Sequence, residues 1–163
     1  MKDFYIRFRT EQGFIWKPMK GDVVKNDFGL SLFVYHSKEP IAKNGKATWW
    51  YIVEESTGLS VTKGATKKEA VENALAMKPT TVAYIRKAIM QYTKKNGYPP
   101  HYIPMPGYDI MDGWDDNASW LHREETVEAA EAWCREHFDT HPTMVIVQLT
   151  EDGNRMFVEE VVK

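Results

Sequence analysis

Four aspartates, Asp109, Asp112, Asp115 and Asp116, form the densest set of side chains in the chain that could do chemistry. Clustered carboxylates can hold a divalent cation or exchange protons with a substrate. Their spacing departs from the Asp-x-Asp-x-Asp-Gly pattern of a calcium loop, so the cluster reads first as a solvated acidic loop. With Trp114 and Trp120 beside it, the same stretch also reads as a protein-binding face with aromatic anchors. The histidines are His36, His101, His122, His137 and His141. His137 and His141 are spaced for one helix face, where His122 or Asp139 could complete a metal set. Asp139-Thr140 and Pro142, however, end a helix before His141, and His137 shares an apolar stripe with Trp133. Cys134 lies on that stripe and reads as a small buried hydrophobe rather than a nucleophile. A glycine-rich phosphate loop, a nucleophile elbow and a His-Glu-x-x-His pair are all missing. The expectation is a protein that binds and does not catalyse, without metal or cofactor.

Cations are the second group. Lys63, Lys67, Lys68, Arg86, Lys87, Lys94 and Lys95 flank two predicted helices, and Arg7 and Arg9 alternate along a predicted strand. Such residues hold phosphates through salt-sensitive contacts. Trp16, Trp49, Trp50 and Tyr51 would stack on bases if exposed, or build the core if not. A set rich in lysine and poor in arginine suits nonspecific phosphate contact better than base-edge readout. Lys67, Lys68, Arg86, Lys87, Lys94 and Lys95 are the nucleic-acid-binding candidates; Asp109, Asp112, Trp114, Asp115, Asp116 and Trp120 are the partner-binding ones.

The net charge of −2 conceals a polarity. Residues 1–97 carry 17 Lys/Arg against 9 Asp/Glu, a balance of +8, and residues 98–163 carry 4 against 14, a balance of −10. The basic half suits a polyanion and the acidic half a basic protein or nucleoprotein surface; alternatively the halves attract one another.

The elements that position these groups follow from periodicity. Phe4–Arg9 alternates as a strand, Glu11-Gln12-Gly13 turns, and Phe14-Ile15-Trp16 begins a return strand that Pro18 weakens or places at an edge. Lys20 to Gly29 reads as turn-rich. Leu30–His36, Trp49–Glu55 and Leu59–Lys63 make a three-stranded meander, with Thr57-Gly58 as a tight turn in which Gly58 takes positive φ. Thr66-Lys67-Lys68-Glu69 is a capping box that opens a helix to Met77. A second helix starts at Pro79 and stops at Asn96-Gly97. The proline- and glycine-rich residues 97–107 separate a domain 1–97 from a domain 98–163. In the second domain, Tyr108–Asp112 and Asn117–His122 are short strands and Glu124–Phe138 is a helix. Met144–Leu149 and Met156–Val162 are strands joined by a hairpin turn at Glu151-Asp152-Gly153-Asn154. The expected fold class is α+β: two small antiparallel-sheet-plus-helix units, the first with an additional helix.

A hydrophobic content of 43% is enough for a core in 163 residues. One cysteine excludes an internal disulfide and a cysteine-based zinc site, which suits a reducing cytoplasm. No apolar run approaches the ~18 residues of a membrane span, and Met1-Lys2-Asp3-Phe4 does not open a secretion signal. These features predict a soluble cytoplasmic protein with no membrane partner.

Trp50…Thr57-Gly58…Thr66-Lys67-Lys68-Glu69-Ala70 resembles the small sheet-plus-helix arm-type DNA-binding domains of phage integrases, over roughly 30 residues. Those domains precede a recombinase domain, whose Arg/His/Tyr set has no match here. The chain as a whole resembles small accessory proteins of phages and mobile elements, among which inhibitors of host defence such as anti-CRISPR proteins are frequent. The resemblance implies a cytoplasmic location in a host cell. The leading expectation is therefore an inhibitor or regulator of a nucleic-acid-handling complex, acting through an acidic, phosphate-mimicking surface. The alternative is a DNA- or RNA-binding module that uses the basic N-terminal half.

Overall fold

The computed structural model describes residues 1–37, 49–102, 107–115, 117–150 and 155–163. Among these residues the chain is α+β, with three helices and two antiparallel sheets of five and four strands. It divides into two units, Met1–Val82 with Gln91–His101, and Ala83–Met90 with Tyr102–Lys163.

The first unit is a meander of β1 (Lys2–Thr10), β2 (Gly13–Val24), β3 (Leu32–His36), β4 (Trp50–Glu54) and β5 (Leu59–Gly64), paired in that order. β2 runs well past Trp16, where the sequence suggested only a short return strand. Gly13–Gly21 pair with β1, and Asp22–Val24 pair with β3. Pro18 opposes Tyr5 in the stretch that pairs with β1 alone, so its missing N–H removes no bond to a second neighbour. Gly21 marks the change of partner. A Cβ there would lie 2.7 Å from both the Phe4 ring and the Val34 carbonyl oxygen, so only a hydrogen fits.

This change of partner brings β1 back onto the sheet. Phe4 stacks on Phe33, with ring centroids 4.8 Å apart, and Phe4, Ile6, Phe33 and Val53 form a buried cluster. The Arg7 N–H donates to the Gly58 carbonyl at 2.9 Å, tying β1 to the turn between β4 and β5. Glu54 builds that turn from inside. Its buried carboxylate accepts from the Ser56 and Thr57 N–H groups, both at 3.0 Å, and from both hydroxyls. Gly58 follows with φ +65°, as the turn chemistry predicts.

α1 (Lys67–Leu75) starts at the predicted capping box: the Thr66 hydroxyl accepts from the Glu69 N–H at 3.1 Å, and the Glu69 carboxylate accepts from the Ala65 N–H at 2.8 Å. Its buried residues are Ala70 and Ala74. Gly64 of β5 lets the helix in, since a Cβ there would strike the Ala70 backbone. α2 (Pro79–Asn96) has proline at its start, and Gly97 with φ +70° closes it. The ends of α2 count with the first unit and its middle, Ala83–Met90, with the second.

The second unit contains β6 (Gly107–Met111), β7 (Trp120–Glu124), α3 (Val127–Glu136), β8 (Thr143–Leu149) and β9 (Arg155–Val162), with strand order β7-β6-β8-β9. β6 is flanked by β7 and β8, and α3 connects these two as in a split βαβ unit. Ile110, Ala130, Cys134, Met144 and Ile146 form the core beneath the helix. α3 begins later than its acidic run suggests. Glu124 completes β7, and the Thr126 hydroxyl caps the helix by accepting from the Ala129 N–H at 3.2 Å. The hairpin turn expected at 151–154 lies outside the described residues, but the strands that flank it, β8 and β9, pair.

Candidate nucleic-acid interface

The β1–β2 hairpin gathers cations and rings from the register of its two strands. Arg7 opposes Trp16 and Arg9 opposes Phe14, so these four share one face. The Arg7 guanidinium lies 4.9 Å from the Phe14 ring centroid, 5.5 Å from that of Trp16 and 6.0 Å from that of Tyr92. Such contacts hold an arginine in place while leaving its charge intact. Arg9 is exposed, and Phe14 is 58% exposed although it is a large apolar residue. Ile6, Phe8, Lys17 and Met19 share the other face, with Phe8 opposite Ile15 and the Lys17 ammonium 4.6 Å from the Phe8 ring.

Beside that second face lies a groove of about 690 Å³. Phe8, Lys17, Met19 and Lys20 of the hairpin border it, as do His36 and Trp50 from β3 and β4. The His36 ring stacks on Trp50 at 4.6 Å, and Tyr35, also on the groove wall, stacks on Tyr51 at 5.7 Å. Among the described residues Asp22 is the carboxylate on this wall, and Lys67 donates to it at 2.6 Å. That bond holds the Asp22 carboxyl below its ordinary range, so at neutral pH its charge is present and matched.

The acidic residues are placed differently from the sequence expectation. Asp109 is fully buried, which corrects its reading as part of an accessible acidic face. It accepts from Arg123 Nε at 2.6 Å and Nη2 at 3.1 Å, and from Arg155 Nε at 3.2 Å. Trp120, 6% exposed, is likewise no surface anchor. Its ring lies 5.6 Å from the Arg86 guanidinium and 5.2 Å from that of Arg123, and its indole N–H donates to the His122 carbonyl at 2.8 Å. Asp112 and Asp115 are exposed but help to build the loop after β6: they accept from the Ser119 and Asn117 N–H groups at 2.6 and 2.8 Å. Asp116 lies outside the described residues. Trp114 is 54% exposed and meets Phe157 of β9 edge-on at 5.6 Å.

The six proposed cations do not fall in one unit. Lys67, Lys68, Lys94 and Lys95 count with the first, and Arg86 and Lys87 with the second. Lys67 is paired with Asp22, and Lys68 lies 3.8 Å from Glu72 on its own helix. Lys87, Lys94 and Lys95 are exposed on α2, the last two in the final turn, where cations suit the helix dipole. Arg86 is half-buried beside Trp120, so it is corrected from an open phosphate contact to a packed residue; burial lowers its pKa. For the His137/His141 pair, α3 ends at Glu136 with His137 as its C-cap, as Asp139-Thr140 and Pro142 suggested, and His137 is used in packing. Trp133 is stacked between His122 at 4.9 Å and His137 at 3.7 Å, and His137 Nδ1 lies 2.7 Å from the Trp133 carbonyl oxygen. Among the described residues no three of His, Cys, Asp and Glu come together as metal ligands, and no helix is long and apolar enough to cross a membrane.

No family model matches the chain, and neither a curated protein nor a solved structure matches it. The chemistry must therefore be read from the residues alone. Arg7, Arg9, Trp16 and Trp50 were visible in the sequence as candidates. Phe14, Lys17, Lys20 and Tyr35 were not, and His36 stood out only as one of five histidines. Lys20 falls in a stretch that reads as turn-rich, and the pairing of β2 with β3 that brings it near Tyr35 and His36 is not local to the sequence. Trp16, Trp49, Trp50 and Tyr51 are all half-buried, and the Lys63 ammonium lies 4.6 Å from the Trp49 ring.

Proposed function

We propose that the first unit binds nucleic acid without reading its sequence, through the β1–β2 hairpin. The observation that carries this reading is the interleaved face of Arg7, Arg9, Phe14 and Trp16, with Arg9 and Phe14 open to solvent. An exposed phenylalanine between guanidinium groups offers a stacking surface and phosphate contacts in one place. The excess of cations in residues 1–97 supports attraction of a polyanion over a longer range. The test is a fluorescence-anisotropy titration of labelled oligonucleotides at low and moderate salt. Phe14→Ala should weaken binding by about 1–3 kcal/mol, the usual worth of one stacked base. Arg9→Ala should lower the salt slope by about 0.7–0.9 for one lost phosphate contact. Binding that ignores both substitutions removes this reading.

A second reading concerns the second unit and rests on Trp114. An exposed indole packed edge-on against the 52% exposed Phe157, with Asp112 and Asp115 nearby in sequence, is supporting ground for a basic protein partner, such as a nucleic-acid-handling complex that the chain inhibits or regulates. A partner recovered with the full chain and lost with Trp114→Arg, at unchanged folding, would support it. A partner retained by that variant would remove Trp114 from the interface.

A further inference from the structure

We infer that the groove beside the hairpin takes an unstacked nucleobase, so that the ligand of the first unit is a single strand and not a duplex. This deepens the hairpin reading and rests on it. Size is the first argument: about 690 Å³ lies within the range of small-molecule sites, roughly 300–1,000 Å³. Composition is the second. Among the described residues, four that carry rings border the groove, Phe8, Tyr35, His36 and Trp50, and two lysines, Lys17 and Lys20, stand with them. Rings on which a base can stack, next to ammonium groups that donate to a phosphate, are the two halves of single-strand recognition.

Charge is the third argument. Asp22, a carboxylate on the groove wall, is held by Lys67 at 2.6 Å and so opposes an incoming phosphate less than an unmatched acid would. Topology is the fourth. The groove is bordered by β2 on one side and by β3 and β4 on the other, where β2 changes partner at Gly21, a position that admits no Cβ. Its shape is thus set by the backbone as well as by side-chain rotamers. A duplex keeps its bases stacked and paired inside, and offers such a groove nothing flat to insert. A strand that passes from the Arg9–Phe14 face round the hairpin to its Phe8–Lys17 face can turn one base into it.

The experiment compares four probes on the full chain: oligothymidylate, its duplex with oligoadenylate, an abasic strand with the same number of phosphates, and free thymidine monophosphate. Oligothymidylate should bind roughly tenfold more tightly than the duplex or the abasic strand, the share of affinity due to one stacked base. Lys20→Glu, at an exposed position, should weaken the strand. Strands carrying 5-iodouracil should photo-crosslink to Phe8, Tyr35, His36 or Trp50, a readout that needs no variant to fold. Crosslinks confined to Phe14 and Trp16 overturn the groove assignment and leave the hairpin reading standing, whereas equal affinity for abasic and normal strands overturns both the groove assignment and the stacking on Phe14. Free thymidine monophosphate competing as well as the strand overturns the assignment to a strand. No binding of any probe at low salt overturns both.

Discussion

Replacing Gly58 by alanine tests the contact on which the hairpin depends. Gly58 has φ +65°, a conformation that costs an L-residue about 1–2 kcal/mol. Its added Cβ would also meet Trp16 Cζ3 at 2.6 Å, Arg7 N at 2.7 Å and the Ile6 carbonyl carbon at 3.0 Å. Two of these atoms are β1 backbone, so relief requires β1 to move away from the turn. That movement lengthens the 2.9 Å bond from the Arg7 N–H to the Gly58 carbonyl, worth about 0.5–1.5 kcal/mol. With the Trp16 contact included, the expected loss is about 2–4 kcal/mol. The control is Gly29→Ala. Gly29 has φ +71° but open space around its missing Cβ, so it carries the backbone strain without the collision. Urea unfolding gives the stability difference, and hydrogen exchange at the Arg7 amide reports the bond itself. Gly58→Ala should lose more stability than Gly29→Ala, lose Arg7 protection and weaken oligonucleotide binding. Equal losses for the two variants with Arg7 still protected would refute the claim that this turn holds the hairpin down.

Three further outcomes follow from buried groups. Burial pushes the Glu54 carboxyl above its ordinary value of 4.5, against the pull of its Ser56 and Thr57 donors. The folded state then holds this proton more tightly than the unfolded chain. Its contribution is full below about 4.5 and is lost as pH rises through the folded value, so wild type should lose stability relative to Glu54→Gln across that window. The opposite slope in paired denaturation curves would show that the donors outweigh burial. Asp109→Ala should cost about 3 kcal/mol in thermal unfolding, because it removes the carboxylate that pairs with both Arg123 and Arg155; their side chains are 26% exposed, which keeps the loss at the low end for a broken buried pair. A loss near zero would mean that both arginines find water. Burial pushes the Cys134 thiol up to about 11, so iodoacetamide should leave the native chain unlabelled at mildly alkaline pH and label it in urea, as read by mass spectrometry.

The limits of sequence reasoning here have a physical pattern. Thr66-Lys67-Lys68-Glu69 announces a helix start because both hydrogen bonds of the box close within a few residues. Thr57-Gly58 announces a turn for the same reason. Asp109 announces nothing, because its partners stand 14 and 46 residues away and its strand is covered on both faces. Alternation of Asp109 with Ile110 shows that two faces exist; it does not show that the face holding the charge is also buried. Trp120 is hidden for the same reason, since only the fold sets it beside two guanidinium groups. The groove depends on longer-range events still. Arg7, Arg9 and Trp16 alternate visibly on one face of the hairpin, but Lys20 reaches the groove beside the other face, with Lys17, only because β2 continues through Pro18. That continuation is possible only where the proline faces a single neighbouring strand, a fact of sheet order and not of local propensity. A candidate surface assembled from charge counts alone therefore took in the buried Asp109 and packed Arg86 and missed the lysines at the groove. Charge tallies weight every residue equally, whereas function belongs to the few whose charge the fold leaves within reach of a ligand.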